Sequence, residues 1–211
     1  LGYEVVWTRL LVLPLRSYAY SFSLMLSLFL VGLVIGALTL ARFETRIHDA
    51  MKVLAVVQLA SGAYVAASVV WLPGVLGPPS EGSGFAALLW SGLLRAGPVV
   101  LPPTILCGMA LPLAIRAFLG AAGSAGRAVG TVYAANTIGA IVGALVSGLL
   151  LLPAFGASRS LAVLATLGAT AGAIAALVAW GRTARGWAGI AIVAAGGFVV
   201  LLPSRPYIEA F

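Results

Sequence analysis

The chain has 211 residues, 62% of them hydrophobic and 8% charged, with a mean hydropathy of +1.14. A water-soluble domain carries about 25% charged residues, so a fold in water is excluded. The net charge of +7 comes from scattered arginines and not from a basic run, which marks loops at a membrane surface and points to no nucleic-acid partner.

Charges, prolines and glycines punctuate the chain into an expected all-α fold, a polytopic integral membrane protein with seven transmembrane helices in a single domain over 1–211. The first span, about 1–13, carries Glu4, Trp7 and Arg9. Ionisable residues at bilayer depth are costly and are functional candidates by default. Arg9 snorkelling to the interface, with Trp7 in an aromatic belt, is the plainer reading. The second span, about 18–41, holds Gly32 and Gly36 at GxxxG spacing, which lets another helix approach closely. A polar loop follows with Glu44, Arg46, His48 and Asp49, where a lone His48 reads as a solvated side chain.

The third span, about 53–72, contains Gln58 and leads into a Pro/Gly-rich stretch at 73–84. Residues 85–94 are apolar but short, and read as an interfacial piece. The fourth span, about 97–118, contains Pro98, Pro102, Pro103 and Pro112 together with Thr104 and Cys107. Each proline removes a backbone donor, so this helix is expected to be kinked or broken, as in the interrupted helices of transporter sites. Cys107 is the only cysteine, which rules out an internal disulfide and any cysteine metal cage.

The fifth span, about 128–152, includes Tyr133, Asn136 and Thr137, followed by Gly139 and Gly143. An amide at this depth must find a partner inside protein, and interhelical hydrogen bonding is the favoured role for Asn136 and Tyr133. The sixth span, about 160–180, repeats the small-residue spacing at Gly168 and Gly172, and the seventh covers about 187–202. Arg42, Arg46, Lys52, Arg116, Arg127, Arg182 and Arg185 fall on one side, against Arg16, Arg95, Arg159 and Arg205 on the other. The first group is therefore expected to face the cytoplasm. No metalloprotease, nucleophile-elbow or P-loop motif occurs, so no catalytic residue, metal ligand or cofactor is assigned.

GYEVVWTRLL at the start, SFSLMLSLFLVGLVIGAL in the second span, LPPTILCGMALPLAIRAF in the fourth and GRAVGTVYAANTIGAIVGALVSGLLLLPAFG in the fifth resemble spermidine-synthase-like membrane proteins. In those bacterial proteins a hydrophobic, major-facilitator-like module precedes an aminopropyltransferase-type Rossmann domain. The resemblance covers nearly the whole chain and is most specific at Tyr133 to Gly139 and at Glu4, Trp7 and Arg9. It departs at Gln58, where a glutamate is expected. It implies a bacterial plasma-membrane module that anchors a soluble domain or packs with other membrane helices. The strands, glycine-rich loop and acidic residues of such an enzyme domain do not occur in these residues, so it is expected to lie beyond Phe211 or to have been lost; both ends look cut from something longer. Two other roles fit the same residues: transport of a small, cationic, polyamine-like solute, and an accessory subunit of a membrane complex.

Overall fold

The computed structural model describes residues 1–15, 17–75 and 85–181. Among them the chain is helical throughout, as hydrocarbon requires, because each backbone polar group must be satisfied within its own segment. The elements are α1 (Gly2–Leu15), α2 (Tyr18–Phe43), a 3₁₀ turn (Glu44–Arg46), α3 (Ala50–Val75), α4 (Phe85–Ala122) and α5 (Ala125–Val146). A π-helical turn (Ser147–Leu151) and α6 (Leu152–Trp180) complete them.

Four helical stretches are long and apolar enough to cross a bilayer: Tyr18–Arg46, Ala50–Val69, Leu89–Leu119 and Ala125–Trp180. The seven expected spans are thus not reproduced, for three physical reasons. First, α1 has 14 residues, about 21 Å of helix against roughly 30 Å of hydrocarbon. Second, the expected fifth and sixth spans follow one another within the single stretch Ala125–Trp180, whose helices part at a kink where Gly156 adopts φ 71°, ψ 177°. Third, the expected seventh span lies outside the described residues.

The expected interruption of the fourth span is also corrected. α4 runs as one helix through Pro98, Pro102, Pro103 and Pro112, and it absorbs the piece at 85–94. A proline at position i deprives the carbonyl at i−4 of its donor. Pro102 therefore frees the carbonyl of Pro98, and the Tyr64 hydroxyl of α3 donates to that oxygen at 2.5 Å. The i, i+4 proline pair is tolerated because a neighbouring helix supplies the missing hydrogen bond.

Short α1 forms the hub of the bundle. Val6, Trp7, Leu10 and Leu11 are buried against Met25 and Leu28 of α2, Val65 of α3, Val99 and Val100 of α4, and Leu161 and Ala165 of α6. Trp7 is 2% exposed, so it belongs to this core and not to an interfacial belt. Gly-lined contacts join the remaining helices. A Cβ at Gly32 would collide with Thr104, one at Gly36 with the Ile105 carbonyl, and one at Gly108 with the Leu33 backbone, so α2 and α4 meet backbone to backbone. Similarly, a Cβ at Gly62 would stand 2.8 Å from the Ala165 carbonyl oxygen, and one at Gly172 2.8 Å from Leu59 N, which seats α3 on α6.

The helix ends sort into two groups. Leu15, Tyr18, Gly92 and Gly156 mark the first end, where the side chain of Leu15 packs at Gly92. Phe43, Asp49, Arg116, Ala125 and Trp180 mark the second. There Arg116 of α4 reaches Glu44 and the Ile47 carbonyl, while Met51 and Trp180 close the α3–α6 cluster.

Candidate intramembrane site

Polar side chains from three helices converge in the interior of the bundle. Tyr3 and Glu4 come from α1, Ser61 from α3 and Cys107 from α4. Ser61 and Glu4 both lie within electrostatic reach of the Cys107 thiol. The Tyr3 ring stacks on Trp7 with centroids 5.2 Å apart, and its hydroxyl sits over Gly168 of α6, 3.5 Å from where a Cβ would be. Gln58 is half-buried one turn from Ser61, its Cβ 3.0 Å from the place of a Cβ at Gly172. Thr104 is fully buried and donates to the Val100 and Leu101 carbonyls, which spends its hydroxyl on its own helix.

Chemically this is one carboxylate with a thiol, a hydroxyl and a phenol around it. Such a set can hold a proton or a single cation. The one histidine of the sequence, His48, is exposed in the α2–α3 loop beside the Arg46 carbonyl, so no imidazole activates Cys107. No group of three or more His, Cys, Asp or Glu side chains able to hold a metal occurs among the described residues.

The remaining sequence candidates are dispersed. Arg9 donates to the Tyr18 hydroxyl of α2 at 2.6 Å, an exposed contact at the first end. Tyr133, Asn136 and Thr137 are exposed on α5 and join neither Glu4 nor the Pro-rich part of α4. Gly139 has nothing within 4 Å of a Cβ, while Gly143 approaches the backbone of Gly2. Sequence reasoning missed Cys107 as the residue that Ser61 and Glu4 both approach, and it missed Tyr64 as the partner of Pro98. The spacing of Pro98 and Pro102 was the available signal for Tyr64, since it fixes which carbonyl loses its donor. Nothing local marks Ser61 or Cys107, because their meeting depends on how α3 and α4 dock.

At the second end the loop chemistry is ordinary and well formed. Asp49 caps α3, accepting from Lys52 N at 3.2 Å and pairing with Lys52 Nζ at 2.9 Å. The Lys52 side chain, helped by its backbone N–H, holds the Asp49 carboxyl below the usual carboxylate range. No protein-family model, curated protein or solved structure matches this chain.

Proposed function

We propose that this chain is the membrane-embedded module of a spermidine-synthase-like protein of a bacterial plasma membrane, acting as anchor and scaffold for a soluble domain or for partner helices. In this reading it makes seven passes, with α1 as part of the first and 187–202 as the seventh. The observation that carries the scaffold role is how the interior is filled. Gly32, Gly36 and Gly108, and Gly62 and Gly172, bring helix backbones together, and the core around Trp7 is apolar. Close packing of this kind holds helices in fixed relation and leaves little room for alternating access.

A second reading, a carrier for a small cationic solute, rests on Glu4 lying within electrostatic reach of Cys107. Reconstituted proteoliposomes offered a labelled diamine or polyamine separate the two. The scaffold reading expects no uptake above protein-free vesicles. Saturable uptake that Glu4→Gln abolishes, with the variant still folded, overturns it in favour of the carrier.

A further inference from the structure

Charge is unevenly placed on this bundle. Five cations stand at the second end, Arg42, Arg46, Lys52, Arg116 and Arg127, against two carboxylates, Glu44 and Asp49. Of the other acids in the sequence, Glu4 lies in the interior, and Glu81 and Glu209 would still leave the cations in excess if both stood here. The five divide by what they touch. Lys52 pairs with Asp49 at 2.9 Å and Arg116 with Glu44 at 3.4 Å, so these two are spent on the α2–α3 loop. Arg42, at the end of α2, and Arg127, in the first turn of α5, are exposed, and neither guanidinium has a carboxylate within ion-pair distance among the described residues. Arg46 is exposed as well and lies over the Phe43 ring, 5.6 Å from its centroid. Phe43, Phe118 and Leu119 present apolar surface at the same end. Arginines beside exposed apolar side chains match a bilayer at the depth where acyl chains give way to headgroups.

We propose that the second end is a binding surface for anionic phospholipid headgroups, with Arg42, Arg46 and Arg127 as the residues that meet the phosphates. The proposal rests on the bundle crossing the bilayer and holds for a scaffold and a carrier alike. Charge decides the partner. A zwitterionic headgroup gains little from a surplus of cations, whereas an anionic one is drawn to each basic residue near the membrane surface. Residue type favours it too, because a guanidinium offers paired N–H donors to two phosphate oxygens and is more weakly hydrated than an ammonium. The paired Lys52 and Arg116 have a different task, since they hold the loop that carries Arg46. A soluble acidic partner would use the arginines alone, whereas a lipid meets them with its phosphate and meets Phe43, Phe118 and Leu119 with its chains.

Reconstituted vesicles of mixed phosphatidylcholine and phosphatidylglycerol test this, with spin-labelled forms of each lipid reporting which one the protein surface retains. The expected result is a several-fold preference for phosphatidylglycerol at low salt, lost in about 1 M salt, where the screening length falls to about 3 Å. Arg42→Gln, Arg46→Gln and Arg127→Gln combined should remove most of that preference, while Arg42→Lys, Arg46→Lys and Arg127→Lys combined should keep most of it. Arg9→Gln with Arg95→Gln, at the first end, should leave it unchanged. Each variant is compared at wild-type helix content and melting temperature, and single Arg42→Gln and Arg127→Gln replace any combination that fails this check. No preference in the wild type overturns the proposal and leaves the surface to an acidic protein. A preference that survives the triple glutamine variant, or that the first-end variant alone abolishes, overturns it by placing the lipid elsewhere. Displacement by glycerol phosphate beyond the effect of sodium chloride at equal ionic strength overturns it in favour of a soluble phosphate.

Discussion

The Tyr64 hydroxyl meets a carbonyl that a proline has left without its helical donor. Removing it leaves the Pro98 carbonyl, already deprived of its helical donor by Pro102, without a partner. Tyr64→Phe is expected to cost about 0.5–1.5 kcal/mol in reversible unfolding from detergent micelles. The cost should vanish in a Pro102→Ala background, where residue 102 regains an N–H for that carbonyl. Equal costs in both backgrounds would show that the tyrosine acts by packing alone. Asp49 offers a second test, outside the membrane. Its carboxyl is lowered chiefly by the Lys52 side-chain hydrogen bond. A depressed folded-state value contributes stability that is present above the unfolded value, near 3.8, and is lost as pH falls through the folded one. Asp49→Ala should therefore lower the melting temperature at neutral pH and flatten its fall below about pH 4. A melting curve that keeps the same acid limb in the variant would assign that limb to other carboxylates.

Elements were legible in the sequence wherever a span stood between charges. The ranges expected for the second and third spans, 18–41 and 53–72, lie inside α2 and α3. The small-residue face of Gly32 and Gly36 does lie against another helix. What escaped depends on neighbours. Four prolines read as a break, yet α4 stays helical because α3 supplies a donor and because prolines at i, i+4 share one helix face. The bend at Gly156 hid inside an apolar run, since PAFG reads as a loop as readily as a corner. Its φ of 71° with ψ of 177° belongs to a region open essentially to glycine. Gly156→Ala should destabilise the bundle by about 1–3 kcal/mol. Glycines elsewhere predict opposite signs. Gly108→Ala forces a Cβ into the Leu33 backbone and should cost about 1–3 kcal/mol. Gly130→Ala meets nothing within 4 Å and should be neutral or stabilising by up to about 1 kcal/mol. Equal effects at the two positions would mean that the α2–α4 contact is looser than described.

For the whole molecule, the asymmetry of its ends matters more than any single contact. Arg42, Arg46, Lys52, Arg116 and Arg127 gather at the second end, while Arg9, Arg95 and Arg159 belong to the first. Several of the first set are engaged. Arg46 lies over the Phe43 ring at 5.6 Å, and Arg116 holds the α2–α3 loop through Glu44 and the Ile47 carbonyl. Acidic partners do not cancel the bias, because retention of Lys and Arg on the cytoplasmic side is not a net-charge effect. The second end should therefore face the cytoplasm, which would also place the loop capped by Asp49 there. Introduced cysteines read this directly in a Cys107→Ser background. His48→Cys, in the exposed loop, should react with impermeant maleimide only in inverted vesicles. Ser17→Cys, at the start of α2, should react in intact cells. The reverse pattern would turn the molecule over and bring Glu4 towards the opposite face. Labelling of both positions from one side would mean that α2 does not cross the membrane at all, and the bundle would have to be read as lying within one leaflet.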